Sequence, residues 1–140
     1  HVNVKVWEVG TIISNITQGY GASLDKMVYA CGKKQGGLEI KCPFSKRGLS
    51  VEEACLGKNF FLSMQDGLKP KLKHNHQYYY QIQGKMFVCE LEWIDFVVWF
   101  GPRKLNIERI YFDREWWFNF ALPRIDYFYR RAFLPEVFTR

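Results

Sequence analysis

Asp25, Glu39 and Lys41 are of types and spacing that suit metal-assisted chemistry at a phosphodiester. Residues 38–43 read Leu-Glu-Ile-Lys-Cys-Pro. In an extended chain Glu39 and Lys41 share one face, and Leu38 and Ile40 share the other. Two carboxylates with few other protein donors suit Mg²⁺, which keeps several waters and accepts phosphate oxygens as further ligands. A protonated lysine does not ligate, but it stabilises charge building on a phosphate or orients an attacking water. The competing reading is an exposed edge strand whose ion pair discourages association with other chains. A D-x13-E-x-K spacing often arises by chance, so the surrounding elements must decide whether these residues meet.

Those elements read as a mixed sheet flanked by helices, an α/β architecture. Residues 2–9 alternate Val2, Val4 and Val6 against Asn3, Lys5 and Trp7, as a strand does. Residues 21–31 predict a turn holding Asp25 and then a strand. A turn at Gly36-Gly37 leads into the strand bearing Glu39, which Pro43 closes. The two strands then form a hairpin with Asp25 near one end. Ser50 and Glu53 make a capping box for a helix of about two turns. Residues 60–73 read as an extended arm around Asp66-Gly67, with Pro70 arguing against a central strand.

Residues 75–90 repeat at helical spacing. Gln77, Tyr78, Gln81, Lys85 and Val88 fall on one face and Tyr79, Ile82 and Met86 on the other. The nearly continuous apolar run 93–100 suits a central strand covered on both faces. Beyond a Gly101-Pro102 turn, residues 106–112 alternate as its neighbour. Asp113 caps a helix to about Ala121, and Pro123 opens a second segment to about Phe133.

The chain has 140 residues, 48% of them apolar and 18% aromatic, which implies one packed domain over residues 1–140. Twenty Lys and Arg against 14 Asp and Glu give +6, a balance that favours polyanionic partners. No apolar run approaches the roughly 20 residues of a membrane helix, so the expectation is no membrane and an intracellular location, nuclear or cytoplasmic. Cys31, Cys42, Cys55 and Cys89 form no C-x-x-C pair and read as free thiols. The chain begins with His1 rather than methionine, which leads to the expectation of a fragment of a longer protein or a processed chain.

In this order, "GASLDKMVY", "GLEIKCPFSKR", "HNHQYYYQIQGKMFV", "WIDFVVW" and "IERIYFD" resemble the YqaJ-type viral recombinase domain. That lambda-exonuclease-like group lies within the PD-(D/E)XK nuclease superfamily. The resemblance runs from about Tyr20 to the C-terminus. It implies a restriction-endonuclease-like core and a Mg²⁺-dependent deoxyribonuclease, with Mn²⁺ as a substitute, acting as an exonuclease on duplex ends in recombination or repair.

The resemblance also implies residue roles. Asp25 and Glu39 match metal-binding carboxylates, with the carbonyl of Ile40 as a further ligand, and Lys41 completes the E-x-K. Gln81 matches the helix glutamine facing the active site, and Tyr78 lies one turn before it. Ser45, Lys46 and Arg47 follow the strand where the family places groups near the DNA backbone. The competing readings are a helix-surface amide for Gln81 and a packed aromatic for Tyr78.

Two departures from the family pattern stand out. Its Ser-Pro-Asp-Gly turn reads Ser23-Leu24-Asp25-Lys26 here, losing the proline and glycine that shape the turn and bringing a cation near the carboxylates. The family's N-terminal helical region, which supplies another acidic residue, is expected to be absent from this chain. A homo-oligomer or a partner chain carrying those helices would complete the unit. The alternative reading is a catalytically impaired DNA-binding or assembly module of the same fold.

Overall fold

The computed structural model describes residues 3–65, 67 and 69–139. In chain order the elements are β1 (Val4–Trp7), β2 (Thr11–Ile13), β3 (Gly21–Ser23), β4 (Lys26–Ala30), β5 (Lys33–Lys41), α1 (Val51–Cys55), β6 (Leu62–Gln65), β7 (Lys69–Leu72), α2 (Gln77–Cys89), β8 (Trp93–Gly101) and β9 (Lys104–Tyr111). Residues 114–138 are helical, with π-helical stretches at Trp117–Ala121 and Tyr129–Phe133. Asp66, at the centre of the expected 66–67 turn, lies outside the described residues, as does Val2 of the first strand.

The central sheet runs β1-β4-β5-β8-β9. Only β5 and β8 are parallel; the other neighbours pair antiparallel. A parallel pair needs a long crossover, and here it is made by α1, the β6–β7 hairpin and α2. The mixed sheet flanked by helices expected from the sequence is therefore present, with β2–β3 and β6–β7 as two further small sheets.

Helix α2 forms because residues 77–89 carry no proline and their apolar positions recur at helical spacing. The His76 side chain accepts the Tyr78 N–H at its start, and Glu90 ends it in the left-handed region at φ 53°. Tyr79, Ile82 and Met86 pack with Ile94, Phe96, Val98 and Phe100 of β8 in one buried cluster. Gln83 is fully buried between α2 and β9, donating to the Tyr111 carbonyl at 3.0 Å and accepting the Asp113 N–H at 2.9 Å. Asp113 in turn caps the C-terminal helical run by accepting the Trp116 N–H. Ser50 and Glu53 form the expected capping box, on a helix of only five residues.

Three sequence expectations are corrected. The hairpin turn falls at Cys31 and Gly32, whose φ of 50° and 74° match a two-residue hairpin turn, not at Gly36-Gly37. Those two glycines lie inside β5 because other side chains fill their space. A Cβ on Gly36 would come within 2.4 Å of the Trp93 ring, and one on Gly37 within 2.8 Å of Leu24. Second, β8 alternates in burial, with Trp93, Asp95 and Val97 half-buried and Trp99 exposed. The described helices thus cover one face of it, not two. Third, the C-terminal helix does not end near Phe133 but continues to Phe138, because Pro123 and Pro135 each sit in the first turn of a segment, where a missing N–H is harmless.

Candidate active site

Asp25, in the bend between β3 and β4, and Glu39, on β5, stand at neighbouring heights. The last ladder pair between β4 and β5 is Lys26 opposite Leu38, so Asp25 and Glu39 stand one residue beyond it, on the sheet face that α2 covers. Asp25 is exposed, and its Oδ2 accepts the Ile40 N–H at 2.7 Å. A strand residue directs its N–H and C=O toward the same edge, so the Ile40 carbonyl faces the edge where Asp25 stands.

Glu39 is 2% exposed, and both of its oxygens are engaged. Lys41 Nζ lies 2.8 Å from Oε1 and Lys85 Nζ lies 2.6 Å from Oε2. Burying a carboxylate is costly unless it is paired in this charge-assisted way. The Lys41 ammonium also lies 4.8 Å from the centre of the Tyr78 ring, a cation–π contact. Tyr78 is half-buried, with its ring edge-on to Phe61. It is therefore both a packed aromatic and a wall of the site.

Lys85 had a place on the helix face read from the sequence but no role. Periodicity shows which residues share a face, not what that face meets. Its partner Glu39 lies 46 residues upstream. Gln81, one turn before Lys85, is exposed and lines a groove of about 620 Å³ with Ser23, Gly84, Lys85, Val88 and Trp117. Two glutamines two residues apart on α2 thus divide: Gln81 faces the groove and Gln83 clamps the fold.

Lys26, the sequence neighbour of Asp25, could compete for the carboxylates or point away; its ammonium pairs with Glu8 at 2.5 Å and lowers the pKa of that carboxyl, chiefly by hydrogen bonding. Ser45, Lys46 and Arg47 lie beyond the end of β5, around a short 3₁₀ turn at Phe44–Lys46. Ser45 and Arg47 are exposed, while the Lys46 ammonium sits 5.9 Å from the centre of the Phe60 ring and not beside the carboxylates. A larger hollow of about 720 Å³ at the β1 edge, lined by Asn3, Lys5, Trp7 and Tyr29 among others, holds no converging carboxylates, so size does not locate the site.

Among the described residues no group of three His, Cys, Asp or Glu is gathered to hold a metal. The available donors are the Asp25 carboxylate, the Glu39 carboxylate and the Ile40 carbonyl, all hard oxygens. That set fits Mg²⁺ or Mn²⁺, with water and phosphate completing the shell. Each Glu39 oxygen keeps a lone pair free beside its lysine.

An E-x-K with a buried glutamate on a central strand, an aspartate in the bend that leads into the neighbouring strand, and a covering helix define a nuclease-like core. The chain belongs to the YqaJ-like viral recombinase domain family, whose model matches residues 1–92. Among solved structures it is similar to an alkaline exonuclease (LHK-Exo) from Laribacter hongkongensis, with 26% identity and a TM-score of 0.61 over 97% of this chain and 58% of that one. It is also similar to LHK-Exo in complex with dAMP, with 25% identity and a TM-score of 0.55 over 92% of this chain and 63% of that one. The chain therefore spans about three fifths of the length of the structures it matches. The architecture is the PD-(D/E)XK fold. No curated protein is detectably similar. No described helix is long and apolar enough to cross a membrane.

Proposed function

We propose that this chain carries the active site of a metal-dependent deoxyribonuclease, an exonuclease on duplex ends serving recombination or repair. The supporting observation is the convergence of Asp25, backbone Ile40, Glu39 and Lys41 on one sheet face. In this reading Asp25, Glu39 and the Ile40 carbonyl hold Mg²⁺, or Mn²⁺ in its place. The bound ion supplies charge that neutralises a phosphodiester and makes a coordinated water more acidic. Lys41, held between Glu39 and the Tyr78 ring, presents an ammonium to the phosphate oxygen that gains charge or to the attacking water. Gln81 hydrogen-bonds the nucleotide entering the groove. Tyr78 borders the scissile nucleotide, and Ser45, Lys46 and Arg47 meet the DNA backbone beyond the end of β5. The likeness to an exonuclease solved in complex with dAMP, a deoxynucleotide, supports DNA as the substrate.

Incubating the protein with linear duplex and Mg²⁺ should release mononucleotides, and Lys41→Ala should stop that release. Equal release by wild type and Lys41→Ala would remove the role given to Lys41. The second reading, a DNA-binding or assembly module without turnover, draws support from Lys85 occupying the second oxygen of Glu39. It predicts DNA binding that weakens steeply with salt, because phosphate contacts release counterions, and no cleavage with either metal.

A further inference from the structure

Lys85 takes no part in that chemistry, yet its ammonium sits on Glu39 as closely as that of Lys41. One carboxylate facing two ammoniums leaves an excess positive charge beside the position assigned to a divalent cation. The Lys41 and Lys85 side chains are only 24% and 18% exposed, so water screens this charge incompletely. Any cation held by Glu39 Oε2 must share that oxygen with Lys85 or displace it.

The surroundings give the displaced ammonium somewhere to go. Lys85 itself lines the groove that adjoins the site, beside Gly84, Ser23 and Gln81. Gly84 adds no side chain to obstruct the long lysine stem, and a Cβ there would meet only the far edge of the Trp117 ring, at 3.4 Å. A phosphate in this groove would offer Lys85 a replacement for Glu39.

We propose that Lys85 is a positioning residue that competes with the divalent ion for Glu39 and is drawn away by a nucleic-acid phosphate in the groove. Metal binding and DNA binding then reinforce each other, and by linkage each tightens the other by the same factor. The inference rests on the metal-dependent reading of Asp25 and Glu39 given above.

The test is a Mn²⁺ titration of the full chain, with free Mn²⁺ read by electron paramagnetic resonance. It is run with and without a short duplex whose phosphorothioate linkages resist cleavage. Wild type is compared with Lys85→Gln, with Lys85→Met, which keeps the apolar stem, and with Glu39→Gln. Either Lys85 variant carries the comparison if the other melts early. Without DNA, removal of the ammonium should tighten Mn²⁺ binding roughly tenfold. The duplex should tighten Mn²⁺ binding to wild type by about the same factor and to the Lys85 variants by less than about twofold.

Unchanged or weaker Mn²⁺ binding in the variants, or an undiminished effect of the duplex, overturns the role of Lys85 and leaves the metal site standing. If Glu39→Gln binds Mn²⁺ as wild type does, or wild type and both Lys85 variants bind none, the metal-dependent reading itself fails.

Discussion

Asp25 and Glu39 are both carboxylates at one site, yet the chain holds them in opposite ways. Asp25 is exposed, sits in the bend between two strands and is restrained by one backbone N–H. Glu39 is buried near the end of a nine-residue strand, with an ammonium on each oxygen. In the proposed chemistry the exposed group exchanges partners when a cation binds. The buried one is part of the fold, so its charge must be balanced whether or not an ion is bound. The shared role proposed for the two acids thus rests on very different local settings.

The largest effect should come from exchanging the two acids for amides. Glu39→Gln and Asp25→Asn should each reduce DNA digestion by roughly a thousandfold, but they should separate in a denaturant melt. Glu39→Gln leaves two partly buried ammoniums without their anion and should lose about 3 kcal/mol, whereas Asp25→Asn should stay within about 0.5 kcal/mol of wild type. Equal losses of stability would erase the contrast.

Next in size is Gly36→Ala, which forces a methyl group into the Trp93 ring and should destabilise by about 1–3 kcal/mol without touching an ionised group. Gly32→Ala meets only backbone strain, since no atom lies within 4 Å of its added Cβ, and should lose about 1 kcal/mol. Comparing their melts tests whether the rigidity of β5 comes from packing. A smaller effect is expected of Lys26→Ala. Because Glu8 engages that ammonium, Mn²⁺ affinity should change by less than about twofold; a larger rise would mean that Lys26 reaches Asp25.

Glu108 provides the smallest effect and a third kind of carboxylate. It is held by the Leu72 N–H at 2.7 Å, and burial raises its pKa, outweighing that hydrogen bond. A carboxyl whose folded pKa is raised is destabilising once ionised, and that penalty disappears as pH falls through the folded value toward the unfolded one. Glu108→Gln should therefore raise the melting temperature slightly at pH 7. The advantage over wild type should shrink toward pH 4.

The strand of Glu39 and Lys41 was legible because alternation alone puts the two on one face, and the capping residues Ser50 and Asp113 announced their helices through local hydrogen bonds. What stayed hidden depends on distant parts of the chain. Gly36 and Gly37 look like a turn because glycine serves both positive φ and close approach, and Trp93, which decides between them, lies far along the sequence. Lys85 was readable as a member of a helix face but not as a ligand of Glu39. The strands β2 and β3, three residues each, are too short to leave a periodic signal.

The contact of Trp93 with Gly36 extends further. The same indole lies 3.7 Å from the Arg109 guanidinium, which grips Asp95 through two hydrogen bonds. The absence of a side chain at position 36 of β5 therefore seats a tryptophan and an aspartate of β8 with an arginine of β9, on the face opposite α2. A saturation scan of abundance should consequently find two blank residues, Gly36 and Gly37, as intolerant as the ionised pair that follows them, though for reasons of room and not of charge.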